Sequence, residues 1–290
     1  PPMQESVLST VVLPLALGII MLGLGLSLTI ADFTRVVRYP KAVFVGLLCQ
    51  MAILPAGAFL IATSFSLSPE LAVGLMLLAA SPGGPTANLF SHLANGDVAL
   101  NITLTAINSV LTLFSLPFIV GLSMDYFLGA SQAIAMPFNK IISVFAIVLV
   151  PVAIGMALHR YRPSFSDKLR KPVRTASAIL LVLVIVAAIV KDKEVLTEYF
   201  AQIGLAALSF NLLSLLGGYF IPRLFNIENR QAVAIGMEIG IHNGTLAIFL
   251  ALTVLNNSVM SVPPAIYSII MFFTAGIFGY IVNRKAKQVT

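Results

Sequence analysis

Gly236-Met237-Glu238-Ile239-Gly240-Ile241-His242-Asn243-Gly244-Thr245 sets an acid, an imidazole and an amide inside a stretch that is otherwise apolar from about 229 to 255. Glu238 is the one acidic residue well inside an apolar run, and no Lys or Arg sits at comparable depth in another. An ionisable group in hydrocarbon is costly and marks a functional site by default. With no basic partner in reach, a bound cation or a proton must compensate the carboxylate. The bland reading is a neutral glutamic acid hydrogen-bonded to backbone. His242, one helical turn on, is a candidate partner of Glu238, a candidate cation ligand or a protonatable group.

A second interruption matches the first. Ala80-Ser81-Pro82-Gly83-Gly84-Pro85-Thr86-Ala87-Asn88 carries two prolines, which remove backbone donors and disfavour helix at the preceding residues. That segment breaks; Gly240 and Gly244 make a similar unwinding plausible around Glu238. Paired interrupted segments point to the binding site of a secondary transporter. Non-helical backbone cannot face lipid, so it is buried in protein or lines a wet cavity. Freed carbonyls suit a cation and freed N–H groups an anion. The competing reading is a proline kink that only bends a helix.

Outward from these segments, the 290-residue chain is 59% hydrophobic and 10% charged, against about 25% charged in a soluble domain. Most of its surface must face lipid. Nine apolar stretches reach the roughly 20 residues a transmembrane helix needs, at about 7–29, 41–64, 70–94, 96–123, 136–159, 173–190, 195–221, 229–255 and 262–283. If the second to fourth repeat as the seventh to ninth, the first matches the sixth and the fifth stands alone. Five crossings then separate equivalent spans, giving an inverted repeat. Alternating connections place 14 of the 17 Lys and Arg on one side, leaving Lys140, Lys191 and Lys193 on the other. By the positive-inside rule the N-terminus is outside and the C-terminus cytoplasmic. The basic loop 159–174 is chiefly a topology signal, with anionic headgroup binding as its rival. No cleavable signal peptide is expected, because residues 1–6 lack Lys and Arg and the first apolar run is long. Cys49, the single cysteine, reads as a packing residue.

Uncharged oxygen donors accompany Glu238: Gln50, Asn88, and then Asn101, Thr105 and Asn108, whose spacing puts them on one helix face. Any one of them serves equally as glue between helices. With one carboxylate they form a hard oxygen set suited to Na⁺; a transition metal calls for more His, Cys or carboxylates. Asp97 reads as a first-turn acid. Nothing here assembles a nucleophile–base pair, a phosphate loop or a zinc site, so an enzyme is not expected, and no cofactor beyond Na⁺ as coupling ion.

Four strings resemble the bile acid:sodium symporters and their bacterial homologues: Gly18-Ile-Ile-Met-Leu-Gly-Leu-Gly-Leu26, Pro82-Gly-Gly-Pro-Thr-Ala-Asn88, Leu93-Ala-Asn-Gly-Asp-Val-Ala-Leu100 and Glu238-Ile-Gly-Ile-His-Asn-Gly244. The resemblance spans nearly the whole chain. It implies an all-α polytopic membrane protein forming one unit over 1–290, with a panel domain, a core domain and two crossing broken helices. The panel would hold 7–29, 136–159 and 173–190; 41–64 and 195–221 would join 70–123 and 229–283 in the core. It also implies two sodium sites sharing Glu238. The first would use Ala87 by its backbone, Asn88, Asn101, Thr105 and Glu238. The second would use Gln50, Glu238, the carbonyls of Ile239 and Ile241, and His242. Ala87 and Asn101 stand where bacterial homologues often have serine, and His242 where they have glutamine; a protonated His242 would repel sodium. Ten helices are usual in bacterial members, so the first panel helix is expected to be missing. Met271-Phe272 replaces a polar pair found near substrate in some homologues.

The function expected is sodium-coupled symport of an organic anion, a bile acid or a smaller carboxylate such as pantoate, across a bacterial inner membrane. The anion would meet N–H groups near Gly84, Thr86, Asn243 and Gly244. A cation/proton antiporter using Glu238 and His242 is the first alternative, and a channel or non-transporting sensor the second.

Overall fold

The computed structural model describes residues 11–129, 138–191 and 193–289, and every extended element among them is a helix. α1 (Leu13–Ser27) ends at an extended Leu28, and α2 (Ile30–Thr34) restarts on a reciprocal cap in which Thr29 and Asp32 satisfy each other's end of the turn. The chain bends by 73° there. α3 (Pro40–Leu48), a π turn (Cys49–Ile53) and α4 (Leu54–Ser64) make one continuous rod. Pro55 has no N–H to offer Met51, and the amide of Leu54 reaches back five residues to Cys49, which widens the helix locally.

α5 (Pro69–Ala80) and α6 (Ala87–Leu93) are the two halves of the proline-interrupted segment. α7 (Val98–Phe127) starts on Asp97, whose carboxylate accepts the amide of Leu100 at 3.0 Å, as a first-turn acid should. α8 (Phe138–Tyr161), α9 (Pro163–Lys191) and α10 (Lys193–Leu224) follow. α11 (Asn229–Gly240) and α12 (Gly244–Phe249, running on as a π turn to Val254) are the second broken pair. α13 (Val262–Val289) closes the chain.

Four rods are long and apolar enough to cross a membrane among the described residues: Pro40–Ser64, Val98–Phe127, Phe200–Leu224 and Val259–Arg284. The bent α1–α2 pair would make a fifth. Residues 7–10 and 136–137, the starts of the first and fifth expected spans, lie outside the described residues. One expectation is corrected: 159–174 is not a loop. α8 runs to Tyr161 and α9 begins at Pro163, where a proline ring fits the first helical turn.

Packing sorts the helices into two groups. α1 packs on α8 and α9, which also touch each other. Glycines make this possible: a Cβ on Gly155 of α8 would come within 2.6 Å of Leu26 N. In the other group, α10 lies against α4, α11 and α13, while α5, α6 and α11 pack around α7 or its neighbours. Phe44, Phe114, Phe118 and Phe273 are 67–71% exposed, an apolar exterior that suits lipid and not water.

Candidate ion and substrate site

The two breaks cross each other and satisfy each other's backbone. Gly83 and His242 form an isolated antiparallel bridge. In an unbroken helix the Gly84 amide would aim at Ala80 and the Asn243 amide at Ile239. Instead Gly84 N–H donates to Ile241 O at 2.6 Å and Asn243 N–H to Pro82 O at 2.9 Å. Gly240 O, freed at the end of α11, accepts the Tyr267 hydroxyl at 2.9 Å and Asn211 Nδ2 at 3.1 Å. The crossing is thus a built polar centre inside an apolar protein.

Glu238 sits at it, completely buried, and a Cβ on Gly83 would collide with its carboxylate. Its partners are uncharged: Thr105 Oγ1 donates to Oε2 at 2.6 Å, and Asn108 Nδ2 approaches Oε1 at 3.4 Å. No Lys or Arg pairs with it among the described residues. Asn101 Nδ2 donates to Ala234 O at 2.7 Å, so α7 grips α11 through all three side chains. Asn108 Oδ1, and on the neighbouring elements Asn88 Oδ1, Asn101 Oδ1 and Gln50 Oε1, are buried without a hydrogen-bond partner among the described residues. Buried acceptors left over in this number cost free energy unless something positive meets them.

Of the residues expected for a first sodium site, Asn101, Thr105 and Glu238 meet where α7 packs on α11, and Ala87 and Asn88 start α6, which packs on both helices. Of those of the second site, Gln50 and His242 converge on Ser81. Gln50 Nε2 donates to Ser81 O at 3.0 Å, and His242 Nδ1 lies 3.1 Å from the same oxygen. A carbonyl only accepts, so Nδ1 carries the hydrogen and a neutral ring presents Nε2, which is buried without a partner, as a lone pair. His242 is stacked on Phe210, with centroids 5.6 Å apart, and edge-on to Tyr267. It does not hydrogen-bond Glu238, so that expected pairing is not formed. Ile239 O has lost its helical donor, whereas Ile241 O already accepts from Gly84 and keeps one lone pair.

Next to the crossing lies a cavity of about 710 Å³ between the two helix groups, the size of a drug-like ligand site. Gly84, Thr86, Asn243 and Gly244 all line it. The donors expected of them are mostly spent: Gly84, Asn243 and Gly244 give their N–H groups to Ile241, Pro82 and His242. The lining amides left without a backbone acceptor are those of Thr86, Asn88, His242 and Thr245. An antiparallel bridge between segments about 160 residues apart has no local signature, so the sequence does not show that Gly84, Asn243 and Gly244 spend their amides within the crossing. Sequence reading also missed Arg170 and Lys171 of α9, which line the cavity's exposed end. Arg170 is committed to Asp167, His159 and Leu26 O; Lys171 has no ion pair among the described residues. In the sequence both belong to the basic 159–174 segment, whose charge reads as a topology signal or a headgroup site and does not show the cavity. Met271 also lines the cavity, while Phe272 stacks on Phe90 at 5.9 Å.

Fold and site together define an all-helical membrane protein whose two broken helices cross at a buried carboxylate beside a ligand-sized cavity. Residues 14–199 match the Sodium Bile acid symporter family, and the chain belongs to that family. It is a family of transporters, not enzymes, with sodium as coupling ion. The chain is 28% identical over 270 residues to a probable sodium/metabolite cotransporter, chloroplastic, of Oryza sativa subsp. japonica, covering 93% of this chain and 63% of that one. It is 30% identical over 275 residues to the uncharacterized sodium-dependent transporter YocS of Bacillus subtilis (strain 168), covering 94% and 83%. To the ileal sodium/bile acid cotransporter of Oryctolagus cuniculus it is 26% identical over 286 residues, covering 97% and 82%.

Proposed function

We propose that this chain is a sodium-coupled symporter that carries an organic anion by alternating access. The observation that carries the reading is Glu238, fully buried without a basic partner among the described residues, on a crossing whose side chains leave several buried oxygens unpartnered. Sodium is the cargo that fits that donor set: hard, monovalent and content with carboxylate, amide and carbonyl oxygens. Asn88, Asn101, Thr105, Glu238 and the Ala87 backbone hold one ion; Gln50, Glu238, the Ile239 and Ile241 carbonyls and neutral His242 Nε2 hold a second.

Coupling runs through residues shared by both sites. Asn88 contributes its side-chain oxygen to the ion and its free amide to the cavity wall, and His242 lies on both. Sodium pins α6 to α7 and α11, and so presets the amides of Thr86, Asn88 and Thr245 for a carboxylate or sulfonate. Preorganised donors lower the ordering cost of binding. The anion lies between core and panel, α1, α8 and α9 forming the panel and the remaining spans the core, in an inverted-repeat arrangement of nine crossings. With N-terminus outside and C-terminus cytoplasmic, the end of the cavity at Arg170 and Lys171 opens to the cytoplasm of a bacterial cell. A bile acid or a carboxylate such as pantoate is the class of solute that suits it. Proton antiport has less support, because Glu238 and His242 are not hydrogen-bonded.

A thermal-shift screen of organic anions, run in sodium and in choline, tests this. A ligand at 100 times its Kd adds about 2.7 kcal/mol. At least one anion should raise Tm in sodium and not in choline. Equal shifts in both salts, or none, would sink the coupling.

A further inference from the structure

Helix α7 carries a polar seam longer than the two sodium sites use. Asn101, Thr105, Asn108, Thr112 and Ser115 recur at spacings of four, three, four and three, one face of a helix. The first three meet α11, through Ala234 O and Glu238, and Ser115 Oγ meets Met51 in the π turn that carries Gln50. Thr112 lies between them, 1% exposed, and its hydroxyl has no partner. That is unusual for this helix. The hydroxyls of Thr103 and Ser109 donate to the carbonyl four residues back, at 2.9 and 2.7 Å. Thr112 makes no such bond, although Asn108 O stands in the equivalent place.

Asn108 is equally unsettled. It is fully buried, its Nδ2 reaches Glu238 only at 3.4 Å, the loose limit of a hydrogen bond, and its Oδ1 has no partner. The two ends of an amide are nearly the same shape, so a half-turn puts Oδ1 beside the carboxylate without repacking. Two orphaned oxygens one turn apart, next to an uncompensated carboxylate, offer lone pairs to a cation.

We infer that Asn108 and Thr112 form a further sodium station, continuing the Glu238 site along α7 away from the cavity. Thr112 lies about 10 Å along the axis from Thr105, at 1.5 Å per residue. The ion meets Asn108 Oδ1 and Thr112 Oγ1 there and passes to Glu238 as the Asn108 amide turns. This rests on the reading of Glu238 as a sodium ligand.

The test is equilibrium binding of ²²Na⁺ to the full chain in nanodiscs, for wild type, Thr112→Val, Asn108→Leu, Glu238→Gln and Thr103→Val. Thr112→Val keeps the shape and removes the oxygen. Thr103→Val does the same to a buried hydroxyl that is already bonded and off the seam. Thr112→Val should weaken sodium binding roughly tenfold, or remove one bound ion, with Asn108→Leu at least as severe. Thr103→Val should titrate as wild type, and Tm in choline should not fall for Thr112→Val. Wild-type sodium binding by Thr112→Val, with Glu238→Gln defective, would overturn the station alone and leave water as its occupant. Unchanged binding by Glu238→Gln would overturn both the station and the reading beneath it.

Discussion

Gly83→Ala puts one methyl group into the tightest contact of the crossing. The new Cβ would overlap the Glu238 carboxyl carbon and Oε1, and would lie 2.8 Å from the backbone oxygen of Glu238. The carboxylate can rotate away, but the backbone oxygen is fixed by α11, so the bridge between Gly83 and His242 must open as well. Overpacking of this kind costs about 1–3 kcal/mol. Rotating the carboxylate also gives up the 2.6 Å bond from Thr105, a charge-assisted contact of roughly 1.5–3 kcal/mol. Taking only the lower ends, about 2.5 kcal/mol falls on the geometry that sodium requires, so its affinity should drop by nearly two orders of magnitude. ²²Na⁺ binding, with Tm in choline as a check of folding, reads this out. Gly121→Ala is the control, since a Cβ there meets nothing within 4 Å. A folded Gly83→Ala protein that binds sodium as wild type would refute the placement of the ion at Glu238 beside Gly83.

Tyr267→Phe removes the 2.9 Å bond to Gly240 O while Asn211 still caps that carbonyl; a loss of about 1 kcal/mol in stability is expected, read as a lowered Tm in choline. Gly155→Leu drives a side chain into the backbone of α1, so Tm should fall while the folded fraction keeps wild-type sodium affinity, because α1 and α8 hold no ion ligand. Lys171→Gln takes away a charge at the exposed end of the cavity that forms no ion pair among the described residues. Anion affinity at fixed sodium should weaken about twofold to fivefold, and its dependence on ionic strength, varied with choline chloride, should flatten.

Much of this was legible because proline and glycine act locally. Pro82 and Pro85 cannot continue a helix, and α5 stops at Ala80; Gly240 ends α11 and Gly244 starts α12. Glu238 stood out because hydrocarbon makes a lone acid conspicuous, and Asn101, Thr105 and Asn108 because helical spacing aligns them. The bend after Ser27 was readable in principle, since Thr29 and Asp32 carry a capping-box spacing that apolar length masked. The helical state of 159–174 was obscured by its charge, which says where a segment lies and not whether it is helical. What no local rule reaches is tertiary. The pairing of Gly84 with Ile241, the choice of Thr86, Asn88, His242 and Thr245 as free amides, and the anchoring of His242 on Ser81 O depend on two segments meeting.

Sodium-gradient-driven uptake into proteoliposomes tests the central claim most directly, with radiolabelled taurocholate and pantoate as probes and Glu238→Ala beside wild type. Wild type should accumulate at least one of the two when sodium is outside and choline inside, and Glu238→Ala should reduce that uptake to the rate of empty liposomes. Sodium-dependent accumulation that is undiminished in Glu238→Ala would contradict a transport cycle built on that carboxylate.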